Sequence, residues 1–254
     1  MGSVLKSESR DGVLLLTLDR PEARNAVNAE LRAALSAAMR EFAADDRHRV
    51  VIVTGAGDKA FCAGADLKEL AGRGTGQPPP DYFAEFGPDD FIEKPVITAV
   101  NGAAYAGGFR LAQFGDICLA AESASFAISE AKWSRGAPWA APLTRMLPRR
   151  VLAELLLTAQ PISARRAYEV GLVNEVLPQA ELLPRAWAIA ETIAKNAPLS
   201  VRASKWLMRV GAEAGVSATA SIGAELFRHV YDSEDAREGP RAFREGRRPE
   251  WKGR

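Results

Sequence analysis

The chain has 254 residues, 47% hydrophobic and 26% charged, with 33 basic against 32 acidic side chains and a formal net charge of +1. Such a chain is long enough for one sizeable core, and its near-neutral charge leaves no global field to draw nucleic acid or an anionic membrane. Two cysteines, Cys62 and Cys118, are too few for a disulfide framework and lack zinc spacing, which suits reduced thiols in the cytoplasm. The N-terminal stretch MGSVLKSESRDG has no apolar core of a signal peptide, and no apolar run reaches the ~18 residues of a membrane span. The final RAFREGRRPEWKGR is rich in arginine and leaves room for a local basic patch.

GVLLLTLD, Gly12–Asp19, reads as a buried strand, and PEARNAVN as a turn. A helix follows over Ala29–Ala44, with Leu31, Leu35, Met39 and Phe42 on one face. Val50–Thr54 is a second strand, Gly55–Gly64 a small-residue loop, and Asp66–Leu70 a helix start in which Asp66 and Glu69 have capping-box spacing. The breaker-rich GRGTGQPPPD, Gly72–Asp81, predicts a mobile surface loop. KPVITAV is a third strand, running through a turn over Ala103–Gly108 into a helix whose first turn carries Arg110. ICLAA and SFAI are short strands. Beyond Pro138 the pattern is nearly all helical, with an N-cap at Ser163, a terminating Gly171, and longer helices over Ala180–Asn196, Ser200–Ala214 and Ser217–Tyr231.

Two loops share a design. In AFCAGADLKEL the small residues Ala63, Gly64 and Ala65 follow a strand and precede a helix; in AAYAGGFRLA, Ala106, Gly107 and Gly108 do the same. Small side chains let a ligand approach the backbone, and helix starts leave N–H donors unpaired. If the two converged they would form an oxyanion hole. Each alone is also an ordinary tight connection.

These loops, with KPVITAVNGAAYAGGFRLAQFGDICLA, SFAISEAKWS, ISARRAYEVGLVNEV and EDAREGPRAFREGRRPEWK, resemble the crotonase superfamily, the enoyl-CoA hydratase/isomerase family, over Gly12 to Lys252. The resemblance implies an α/β fold, the crotonase (ClpP-like) spiral of ββα repeats. It implies a core over residues 1–195 that holds the acyl-CoA site. A helical segment over 196–254 would make a homotrimer or a dimer of trimers. By position, the N–H groups of Ala65 and Gly107 would hold the thioester oxygen. Ala23, Arg24, Ala63, Gly64, Asp66 and Leu67 would border the CoA, and Gly108, Trp133 and Trp139 the acyl group. No cofactor beyond the CoA of the substrate is implied.

Hydratases of the family usually carry two glutamates. The second is present as Glu130; the first position holds Arg110, which is permanently protonated and is no base. Arg110 could turn outward or pair with a nearby acid, pair with Glu130 and lower its pKa, or bind an anionic group of the substrate. A further departure is SRGAPWAAPLTRM, with Ala140, Ala141 and Pro142 where the family favours glycine. His48 and His229 lie outside the candidate loops, Asp116 reads as a fold residue, and Ser125, Ser129 and Ser134 have no histidine close by in the sequence. The expected function is hydration of a 2-enoyl-CoA. The alternatives are a Δ-isomerase working with Glu130 alone, a non-catalytic acyl-CoA binder, and RNA binding, against which the charge balance argues.

Overall fold

The computed structural model describes residues 3–72 and 92–254. Most of the segment predicted as a loop over Gly72–Asp81 lies outside them. In chain order the elements begin with β1 (Leu5–Arg10), β2 (Val13–Leu18), α1 (Ala29–Ala44), β3 (Val50–Gly55), β4 (Ala60–Cys62) and α2 (Leu67–Gly72). They continue with β5 (Val96–Val100), β6 (Ala103–Tyr105), α3 (Gly107–Phe114), β7 (Ile117–Ala121) and β8 (Ser125–Ala127). Then come α4 (Leu143–Met146), α5 (Arg149–Thr158), β9 (Ile162–Ser163), α6 (Ala164–Glu169) and β10 (Glu175–Leu177). The chain closes with α7 (Gln179–Ala194), α8 (Pro198–Glu213), α9 (Val216–Tyr231) and α10 (Glu234–Glu245).

Two sheets divide the strands. The larger has the order β1-β2-β3-β5-β7-β10, the smaller β4-β6-β8-β9. Each of the pairs β3–β4, β5–β6 and β7–β8 places its first strand in the large sheet and its second in the small one, and a helix or 3₁₀ turn follows. Repetition of this ββα unit winds the chain as a spiral. The run VVIVTG of β3 is buried throughout, as a parallel strand covered on both faces must be.

The helix over Ala29–Ala44 has the predicted bounds, and Leu31, Leu35, Met39 and Phe42 are all buried. Asn28 caps it by accepting the Leu31 N–H at 2.9 Å. The sequence reading passed over several elements. β1 exposes nearly all of LKSESR and so shows no apolar pattern. Its hairpin to β2 turns on Asp11 and Gly12, both with left-handed φ (50° and 79°), a dipeptide that is itself a hairpin signal. β4 and β6 lie inside segments read as loop and turn, because three-residue strands of small side chains carry no usable period.

The hydrophobic core runs from Val13 to Ala194, and α8–α10 add only Ala203 and Ala242 as buried apolar residues. Polar ties fasten these helices instead. Lys205 of α8 is buried against Asp116 at 2.8 Å and donates to the Lys94 carbonyl at 3.0 Å. Asp116, read as a fold residue, also accepts the Val96 N–H at 2.8 Å. In the C-terminal segment the buried Asp235 carboxylate takes the N–H groups of Lys252 and Gly253 at 2.7 and 2.9 Å.

One side chain organises the turn before α1. Asn25, fully buried with φ of 54°, donates to the carbonyls of Ala56 and Ala60 at 3.0 and 2.8 Å and accepts the Arg20 N–H at 3.0 Å. Asparagine tolerates that backbone region better than alanine does. Asn25→Ala would remove three hydrogen bonds at this turn, one of them fully buried, and we expect it to lower the urea-unfolding free energy by about 3 kcal/mol.

Candidate active site

The two glycine loops meet. A Cβ placed on Gly108 would lie 1.9 Å from the carbonyl oxygen of Cys62, so only glycine lets α3 rest on the end of β4. A Cβ on Gly64 would lie 2.9 Å from the Tyr105 carbonyl oxygen and 3.1 Å from the Gly107 nitrogen. Gly64 has φ of 92°, which also favours glycine.

The close approach places the Ala65 segment beside the start of α3. Val27 forms a parallel bridge with Ala65 through the bonds Val27 N–H to Gly64 O (2.8 Å) and Asp66 N–H to Val27 O (3.1 Å). In that geometry the N–H of Ala65 itself points away from Val27. Gly107 opens α3, so its N–H is one of the unpaired donors of a helix start and lies at the positive end of the helix dipole. Ala106 before it is held at φ 51° and ψ −120°, an uncommon conformation for alanine. The bond from Ala106 N–H to Ala127 O at 2.9 Å helps fix that corner.

The same bridge collects the residues expected to border CoA. Ala63 N–H donates to the Arg24 carbonyl at 3.1 Å, so the turn carrying Ala23 and Arg24 lies beside Ala63–Asp66. Arg24 and Leu67 are exposed there. Asp66 is paired with Arg20 at 3.1 Å, and both side chains are mostly buried. Burial opposes ionisation of Asp66, but the Arg20 guanidinium and the N–H groups of Lys68 and Glu69 outweigh it and hold the carboxyl below its ordinary range. Arg20 was not singled out by the sequence reading, since no motif or spacing marks it. The predicted Asp66–Glu69 capping box takes another form. Glu69 reaches across to accept the Ala29 N–H at 2.6 Å and so caps α1, a long-range contact that local spacing does not reveal.

Glu130 opens the 3₁₀ turn Glu130–Trp133 after β8. Because β6 and β8 are parallel neighbours, with Tyr105 opposite Ala127, the two strands end side by side, one leading into α3 and the other toward Glu130. Oε1 of Glu130 accepts the Trp139 indole N–H at 2.8 Å; Oε2 is buried and has no hydrogen-bond partner among the described residues. Burial is the main influence and pushes this carboxyl above its ordinary range, against the smaller pull of the Trp139 N–H and the main chain. Pairing of Arg110 with Glu130, with a lowered pKa, is therefore corrected. Neither oxygen takes a bond from arginine, and the shift is upward. Arg110 is half-buried in the first turn of α3. Trp139 stacks edge-on to Phe109 at 5.9 Å, whereas Trp133 is 61% exposed.

The remaining candidates have structural settings. His48 sits 3.0 Å from Asp45 and 2.6 Å from Ser9, and both cysteines are buried free thiols. Among the described residues no group of three His, Cys, Asp or Glu side chains could hold a metal, and no helix is long and apolar enough to cross a membrane.

Comparison with known proteins matches this geometry to a family. The sequence profile of the enoyl-CoA hydratase/isomerase family fits residues 8–254. The chain belongs to the enoyl-CoA hydratase/isomerase family. It is 40% identical over 261 aligned positions to a carnitinyl-CoA dehydratase of Salmonella typhi, covering 97% of each chain. Among solved structures, an enoyl-CoA hydratase from Mycobacterium tuberculosis H37Rv superposes with a TM-score of 0.90 at 35% identity, covering 100% of both chains. One from Bacillus anthracis superposes with a TM-score of 0.90 at 32% identity, covering 99% of this chain and 100% of that one. As a member of this family the chain is an enzyme, and its mixed α/β spiral with helical C-terminal region is the family's fold.

Two outcomes are expected from this site. Gly108→Ala would force α3 off Cys62, lowering the melting temperature and weakening retention on immobilised CoA, because the contact is with main chain that cannot rotate away. Glu130→Gln would melt higher than wild type at neutral pH. A carboxyl whose folded pKa is raised costs stability once the pH exceeds its unfolded value, so the gain should close as the pH falls below about 4.

Proposed function

We propose that the protein adds water to the double bond of a 2-enoyl-CoA thioester, or runs the reverse dehydration of a 3-hydroxyacyl-CoA. The observation that carries this reading is a buried carboxylate oxygen, Glu130 Oε2, without a partner among the described residues, at the end of the strand next to the one that leads into α3. In the forward direction the Glu130 carboxylate takes a proton from water as the water oxygen bonds to the β-carbon. The π electrons move toward the α-carbon and the thioester carbonyl, and the charge settles on the thioester oxygen. The Ala65 and Gly107 N–H groups hold that oxygen, each contributing about 3 kcal/mol to the transition state. Glu130 then returns the proton to the α-carbon. Its raised pKa suits both halves of this transfer.

Arg110 cannot replace the missing second carboxylate as a base. Its fixed charge in the first turn of α3 adds to the positive end of the helix dipole and favours the enolate. CoA is assigned to the edge formed by Ala23, Arg24, Ala63, Gly64, Asp66 and Leu67, and the acyl group to Gly108 and the two tryptophans. The name of the Salmonella typhi relative supports the dehydration direction. A Δ-isomerase is the second reading, favoured by the replacement of one carboxylate by Arg110, since double-bond migration needs only one proton shuttle.

Residues 196–254 are assigned to contacts between copies of the chain, in a homotrimer or a dimer of trimers. Exposure of Met208 (62%), Val216 (88%) and Tyr231 (75%) supports this. The buried thiols support a cytoplasmic setting.

Loss of the conjugated enoyl absorbance of crotonyl-CoA, slowed about a thousandfold by Glu130→Gln, is the expected result. Turnover of a 3-enoyl-CoA in place of crotonyl-CoA would favour the isomerase. Binding of both thioesters without turnover would reject catalysis.

A further inference from the structure

Trp139 has a role beyond lining a pocket. Its indole N–H donates to Glu130 Oε1 at 2.8 Å, and its own carbonyl accepts the side-chain amide of Gln113 at 2.7 Å. Gln113 belongs to α3, the helix whose start supplies Gly107. The indole also packs edge-on to Phe109 of α3, with ring centroids 5.9 Å apart. The carboxyl and the helix that bears the N–H donor are thus fastened to each other through a single tryptophan. Oε1 accepts the indole N–H, whereas Oε2 has no partner among the described residues.

We propose that Trp139 is the positioning residue of this site, holding Glu130 by one oxygen so that the other faces the reacting carbons, with Gln113 as the strut that fixes Trp139 to α3. In a site with two carboxylates, each can orient the other through a shared water. Here the second position is an arginine, and an uncharged donor in the following loop takes over the orientation. The donor lies in the SRGAPWAAPLTRM stretch, in the 3₁₀ turn Pro138–Ala140.

The inference rests on Glu130 being the proton carrier, and its test separates the two. Charged groups on the elements about the carboxyl are Arg110 on α3, Lys132 in its own turn, and Arg149, Arg150 and Glu154 on α5, which packs against that turn. None is among the causes of its shift, so removal of the indole N–H should be read cleanly. The experiment follows the carboxyl carbon NMR signal of Glu130 through a pH titration of the full-length protein, assigned by its absence in Glu130→Gln. Crotonyl-CoA kinetics are measured alongside.

In Trp139→Phe the Glu130 midpoint should move to higher pH, because a bond that favours the charged form is gone. The acid limb of kcat should follow it, and kcat should fall about tenfold to a hundredfold with KM unchanged. Gln113→Leu should act in the same direction with a smaller effect, and it serves if Trp139→Phe does not fold. Midpoints that stay at the wild-type value in both variants would overturn the proposal. So would a moved midpoint with kcat intact, or kcat and KM changing together with the midpoint fixed, which is the mark of a packing role alone. If the wild-type protein does not turn over crotonyl-CoA yet the midpoint still moves in Trp139→Phe, the hydratase reading fails and the positioning of Glu130 stands.

Discussion

The site depends on two missing side-chain carbons. Gly108 allows α3 to sit against the Cys62 carbonyl, and Gly64 allows the other loop to approach Tyr105 and Gly107. A methyl group at either place would have to overlap main-chain atoms. Main chain at the end of a strand has no rotamers with which to relieve such a contact, so the approach of the two loops is limited by sterics. The attractive bonds come next and maintain it. They run from Ala106 to Ala127 across the neighbouring strand, and from Val27 and Asp66 across the bridge at Ala65.

Around that contact the protein accepts local costs. Ala106 adopts a backbone conformation in which glycine would be more comfortable. Glu130 is half-buried, its Oε2 is buried and unpaired among the described residues, and burial works against its charge. A core selected for stability alone would not hold an unpartnered carboxyl oxygen, and its retention is intelligible if a substrate or water completes the bonding. The surrounding ββα spiral supports these strained features because its central strands β3 and β5 are buried throughout and its turns are pinned by side chains such as Asn25.

Asp66 and Glu130 show how setting separates two carboxyls on one framework. Asp66 meets a guanidinium and two helix-start N–H groups, and its charge is favoured despite burial. Glu130 meets one indole N–H, and its burial disfavours the charge. The first suits a structural or binding role and the second suits moving a proton.

The amino-acid sequence by itself determined the elements whose physics is local. The apolar stripe of α1, the buried run of β3 and the N-cap at Ser163 follow from periodicity and capping within a few residues. The two small-residue loops and Glu130 were legible too, and through them the family resemblance. The strand β1 was not, although Asp11-Gly12 could have signalled its hairpin, because an exposed edge strand has no apolar alternation. Only the tertiary structure decided that the loops touch, that Glu69 caps α1 rather than its own helix, that Arg20 pairs with Asp66, and that Trp139 rather than Arg110 holds Glu130. Each of these joins residues brought together by the winding of the spiral. Their spacing in the chain contains no trace of it, because distance in space there is fixed by which strands become neighbours.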